Sequence, residues 1–86
     1  MIQHTFVVKL DIHVAGYEKA VTLTGEARTE DEAVTMALLA ESHTELEPHP
    51  VAVNGHIDDV FTYIVSHVHQ IPHDEYVVLK KYIGEW

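Results

Sequence analysis

The chain has 86 residues and no cysteine, and its 14 acidic side chains against 5 basic ones give a net charge of −9. This length holds one domain, residues 1–86, with a single core and no deep interdomain cleft. The missing thiols exclude disulfides, zinc–thiolate centres and thiol catalysis. The charge argues against direct nucleic-acid or anionic-membrane binding, since no basic stripe exists and the only adjacent bases are Lys80 and Lys81.

An apolar share of 47% suits a folded globule rather than a disordered chain. No run of about 18 apolar residues is present to span a membrane. The N-terminus reads as a strand rather than a signal peptide. Together with the lack of cysteine, this makes the cytoplasm the expected location.

Residues 5–14, TFVVKLDIHV, alternate with period two. Phe6, Val8, Leu10, Ile12 and Val14 point one way, and Thr5, Lys9, Asp11 and His13 the other, which predicts a half-buried strand. Gly16 tolerates positive φ and marks a tight turn. Residues 17–25, rich in Val, Thr and Tyr, resume as a second strand with Val21 and Leu23 inward. The two strands are expected to form an antiparallel hairpin.

Thr29 followed by Glu32 is a capping box, in which the hydroxyl accepts an orphan helix N–H and Glu32 reaches back to the cap N–H. The acids of the first turn suit the helix dipole. The helix that follows is expected to turn Ala33, Met36, Ala37 and Ala40 to the sheet, with Val34 and Leu39 flanking. The stretch from Thr29 to Ala37, Thr-Glu-Asp-Glu-Ala-Val-x-x-Ala, resembles the strand-to-helix passage of HicB-type antitoxins over about a dozen residues. Their third strand and Pro-Gly turn are missing, so the likeness reflects a shared capping grammar and carries no function.

Two prolines and an Asn-Gly mark the next segment as a loop around a short extended piece, Val51 to Val53. Residues 57–71 satisfy two patterns. Ile57, Val60, Phe61, Ile64, Val68 and Ile71 have helical spacing, yet the run from Val60 to Val65 consists of strand formers, and composition decides for a strand. In residues 74–83, Asp74, Lys80, Lys81 and Gly84 are helix-end signals. The turn at Pro72 to Asp74 between β-rich runs favours a second hairpin instead. The fold class expected is α+β: a small antiparallel sheet, ββα followed by a second β-rich unit, with one main helix packed on one face. One helix cannot cover four strands, so part of the sheet should stay open.

His67 and His69, two apart on a strand, would share a face. With His73, or with Asp74 or Glu75, they could ligate zinc or a harder ion. His67-x-His69 followed by Glu75 resembles the first cupin motif over about nine residues. Glu75 comes later than that motif places it, and no second motif follows, so the cupin activity is not inferred. The eight histidines are spread along the chain, which favours general histidine usage over a built site. Protonating all eight would move the charge from −9 to −1, so acid-driven partner binding is expected to weaken below about pH 6.

No nucleophile elbow accompanies Ser42 or Ser66, and Asp58-Asp59 reads as a cap or turn rather than an acid–base pair. No nucleotide or other cofactor motif is present. Arg28 among acids reads as a surface ion pair. The function expected is a small acidic, non-enzymatic protein-binding module. Glu30, Asp31, Glu32, Glu41, Glu45 and Glu47 form its docking ridge for a basic protein surface. An inhibitor or antagonist of a nucleic-acid-handling protein, of the kind short phage accessory proteins provide, is the specific form of this idea. The alternatives are a divalent-metal-binding domain and a structural homo-oligomer such as a homodimer. Tyr17, Tyr63, Tyr76 and Trp86 are candidate aromatic anchors on an open sheet face.

Overall fold

In the computed structural model, residues 3–42, 47–48, 55–58 and 61–86 are described. They form an α+β fold. The strands are β1 (His4–Val14), β2 (Tyr17–Ala27), β3 (Glu47–Pro48), β4 (Gly55–Asp58), β5 (Phe61–Ile71) and β6 (Gly84–Glu85). The helices are α1 (Glu30–Glu41) and α2 (His73–Leu79). The sheet order is β3-β4-β5-β1-β2-β6. Every pairing is antiparallel except β2 with β6.

The alternating run of β1 places it at the centre of the sheet. Phe6, Val8, Leu10 and Ile12 are at most 2% exposed and line one face. The ladder sets Leu23 beside Val8 and Val21 beside Leu10. Both join the core on that face, Leu23 fully and Val21 partly. The hairpin turn uses Ala15 at φ 48° and Gly16 at φ 85°. Two consecutive positive φ values match the twist of the flanking strands.

α1 lies on this face through Ala33, Ala37 and Leu38, all buried. Alanine contacts let a helix axis approach the sheet closely. The expected face was rotated: Leu38 packs inward, while Met36 and Leu39 stand 40% and 62% exposed and Ala40 faces solvent. The spacing Ala33, Ala37, Glu41 with Val34, Leu38 is the one that the sheet selects, because both rows point the same way at four-residue intervals.

β5 keeps the strand that its composition favours, from Phe61 rather than from Ile57. Its ladder with β1 shifts register at Lys9/Leu10: Lys9 faces His67 and Leu10 faces Val65, which leaves Ser66 as an extra residue in a β-bulge. Tyr63 and Val65 face the core before the bulge and Val68 after it. The phase jump turns a period-two pattern into an apparent helical one, which explains the mixed signal of this segment. Ile57 belongs to β4, paired with Thr62. The expected piece at Val51 to Val53 lies outside the described residues.

The expected second hairpin is corrected. Residues 73–79 form α2, with Pro72 at the N-cap and Asp74 and Glu75 in the first turn. Helix dipole and cap position override the strand preference of Tyr-Val-Val-Leu. The segment crosses the sheet and returns as β6 beside β2, and a parallel return needs such a crossover. α2 packs on β1 and β2 over the second face. There Thr5 and Thr24 are buried, and their hydroxyls donate to the carbonyls of Ile71 at 2.5 Å and Phe6 at 2.8 Å. The Tyr76 hydroxyl donates to the Glu85 carboxylate, which anchors α2 to β6. Trp86 covers Gly25 on the core face, where any Cβ would collide with the indole.

Candidate functional site

The acids proposed for docking separate in space. Thr29 caps α1 as its sequence predicts, accepting from the Glu32 N–H at 3.1 Å. Glu32 reaches back one residue further than a standard capping box. Its carboxylate accepts from the Arg28 backbone N–H at 3.2 Å and from the Arg28 guanidinium at 2.8 Å. The hydrogen bond from Arg28, more than simple attraction, lowers the Glu32 pKa and raises that of Arg28. This is the expected surface ion pair, and it commits Glu32.

Glu30 and Asp31 are exposed, and no Lys, Arg or His nitrogen lies within ion-pair distance of either among the described residues. Glu41 sits at the far end of α1, half-buried, with its carbonyl accepting from the Tyr63 hydroxyl at 3.2 Å. Glu45 lies outside the described residues. Glu47 is in β3, paired through its backbone with Ile57. A continuous ridge over all six positions is therefore not what α1 presents.

The outward face of α1 consists of two rows at four-residue spacing: Asp31, Thr35, Leu39 and Glu32, Met36, Ala40. Carboxylates hold the N-terminal end of both rows, and exposed apolar side chains hold the C-terminal end. From Asp31 to Leu39 the helix rises about 12 Å. Sequence reasoning missed Met36 and Leu39 as surface residues. The available signal was the Ala33/Ala37 spacing, which claims the inward face for small residues and leaves Met36 outside.

A second surface of similar chemistry lies on α2. Asp74, Glu75, Val78 and Leu79 line a shallow groove of about 330 Å³. Of the expected aromatic anchors, only Tyr17 is largely exposed, at 77%. Tyr63 and Tyr76 are buried, and Trp86 packs against the core. Tyr82, at 79% exposed, was not anticipated.

His67 and His69 share the second face of the sheet, with ring centroids 4.1 Å apart and planes at 77°. His73 does not join them; it begins α2 and lies against the Tyr76 ring. Among the described residues no group of three or more His, Cys, Asp or Glu is placed to hold one metal ion. The three-ligand metal set His67, His69, His73 is corrected accordingly. His13 faces outward as expected and meets Glu18 at 3.2 Å. Ser42 and Ser66 donate to the carbonyls of Leu39 and Lys9, which are structural contacts. Asp58 ends β4, and Asp59 lies outside the described residues.

Among the described residues, no helix is long and apolar enough to cross a membrane. Comparison with known proteins finds no matching family model, no matching curated protein and no matching solved structure.

Proposed function

We propose that this chain is a small, non-enzymatic protein-binding module that sets the outward face of α1 on a basic protein surface. Its role is that of an inhibitor, occupying a surface that a nucleic-acid-handling protein would otherwise use. The observation that carries this reading is the make-up of the α1 face. Among the described residues Asp31 at one end has no cation within ion-pair distance, and Met36 and Leu39 offer apolar contact area at the other. Interfaces combine an apolar centre with a charged rim, and surplus carboxylates speed encounter with a cationic partner. The net charge of −9 works in the same direction.

The test begins with capture of partners from host lysate at low and high salt. Affinity of the recovered partner is then measured against wild type, Glu30→Lys/Asp31→Lys and Leu39→Asp. Each variant is expected to weaken binding about tenfold or more, a loss of about 1.4 kcal/mol or more. A complex indifferent to salt and to both variants would overturn the proposal, as would turnover of a small substrate.

A second reading, a homo-oligomer, draws on the outer edge of β2. β6 covers only Leu23 and Thr24, so Tyr17 to Thr22 have no strand paired on that side among the described residues. Open edges template further pairing. Sedimentation equilibrium would reveal a dimer, and Ala20→Pro, at an exposed position whose backbone N–H points to the open edge, would dissolve it by blocking the edge.

A further inference from the structure

We propose that His67 and His69 form a two-imidazole chelating site for a borderline divalent cation: copper(II), nickel(II) or zinc(II). The site lies on the sheet face opposite α1, so it stands apart from the docking face.

The argument starts with the backbone. Two residues separated by one on a strand present their side chains to the same side. The bulge at Ser66 falls just before the pair and is held by the Ser66 hydroxyl, which donates to the Lys9 carbonyl at 3.1 Å. Both histidines are exposed, so an ion reaches them from bulk water. The ring centroids sit 4.1 Å apart with planes at 77°, so the two imidazoles lie within the span of one ion once the side chains rotate to aim a nitrogen of each at it.

The backbone contact also suits a ligand. His67 Nδ1 lies 3.2 Å from the Ser66 carbonyl oxygen. In the tautomer protonated at Nδ1, that nitrogen donates to the carbonyl and the lone pair is left on Nε2. Metal-bound histidines commonly make this arrangement, with the second ring nitrogen donating to a backbone carbonyl.

The donor set selects the ion. Two imidazoles, in a chain that has no thiolate, suit copper(II), nickel(II) or zinc(II) over magnesium or calcium. With two protein ligands, water completes the coordination shell. On β1, Val7 stands opposite His69 and Lys9 opposite His67. Lys9 is exposed, so its long stem can carry the ammonium away from the ion. Asp11, next on that face of β1, and the overall charge of −9 attract cations.

The test uses the intact chain at pH 7.5. Copper(II) is titrated into ¹⁵N-labelled protein, and paramagnetic broadening is mapped by NMR. Calorimetry follows on wild type, His67→Gln, His69→Gln, His73→Gln and His13→Gln, with circular dichroism to verify folding. Broadening is expected to centre on residues 66–70 and on the facing residues of β1. His67→Gln and His69→Gln should each weaken binding about tenfold or more, because each breaks the chelate. His73→Gln and His13→Gln should leave it within about twofold. Broadening centred elsewhere, or affinity unchanged in His67→Gln and His69→Gln, overturns the site. Neither outcome bears on docking through α1.

Discussion

One face of the sheet is dry and the other is largely wet, although both belong to the same strands. Under α1, Phe6, Val8, Leu10 and Ile12 pack against alanines and Leu38 with almost no exposure. Between them along β1, Lys9, Asp11 and His13 turn to the second face and keep solvent contact. Among the described residues that face is closed near Thr5 and Thr24, where α2 lies across it and Tyr76 holds Glu85. The difference separates two roles for a helix. α1 closes the core with Ala33, Ala37 and Leu38, whereas α2 clips a short strand onto the sheet.

This contrast is open to test, beginning with the largest effect. Leu10→Ala, in the centre of the dry face, should cost about 2–5 kcal/mol by urea denaturation. A loss under about 1 kcal/mol would mean that the face is not close-packed. Ala37→Leu should cost about 1–3 kcal/mol, because extra methylenes must wedge between α1 and the strands. Melting temperature read on that variant should fall, and an unchanged value would show space beneath the helix.

On the second face, Tyr76→Phe should cost about 1 kcal/mol by removing the bond to Glu85. Amide exchange should then quicken in α2 and β6 while α1 stays protected. The hydrogen bond to the Glu85 carboxylate, then burial, then the charges of Glu85 and Glu26 push the Tyr76 pKa from 10.0 up to about 12. The folded chain therefore holds this proton more tightly than the unfolded chain does. The stabilisation is whole below about pH 10 and disappears as pH rises through about 12. Denaturation midpoints of wild type and Tyr76→Phe should converge across that window. The smallest effect is expected on the open face: Thr22→Val should stay within about 0.5 kcal/mol.

The sequence was most legible where one physical rule acted alone. Strict alternation located β1, positive φ at Gly16 located the turn, and Thr29 with Glu32 located the start of α1. The antiparallel hairpin and the main helix on one face follow from these. Legibility fell where tertiary packing chose between local options. Whether Met36 or Leu38 faces inward depends on how the helix settles on the sheet, and both fit an amphipathic pattern. The single extra residue at Ser66 shifted the phase of β5, so its apolar residues satisfied two periods at once. For residues 73–79, strand-forming side chains sit in a helix because Pro72 and the acids of the first turn start one, and because β6 needs a crossover to reach β2. The histidine pair was legible as soon as β5 was read as a strand. The separation of the acids was not, since Glu32 turned back to Arg28 and Glu41 turned toward the sheet.

The central strand has one neighbour close in the chain and one far from it. β2 follows β1 after a two-residue turn, whereas Thr5 meets Ile71 across 66 positions. Closing so long a loop must precede the contacts that reward it, which slows folding. The hairpin and α1 can assemble early, from the first half of the chain alone. Until β5 arrives, one flank of β1 remains bare, with its amides and carbonyls unpaired. During that interval a newly made chain is most vulnerable to pairing with a stranger, and the surplus of negative charge acts then as a guard against aggregation.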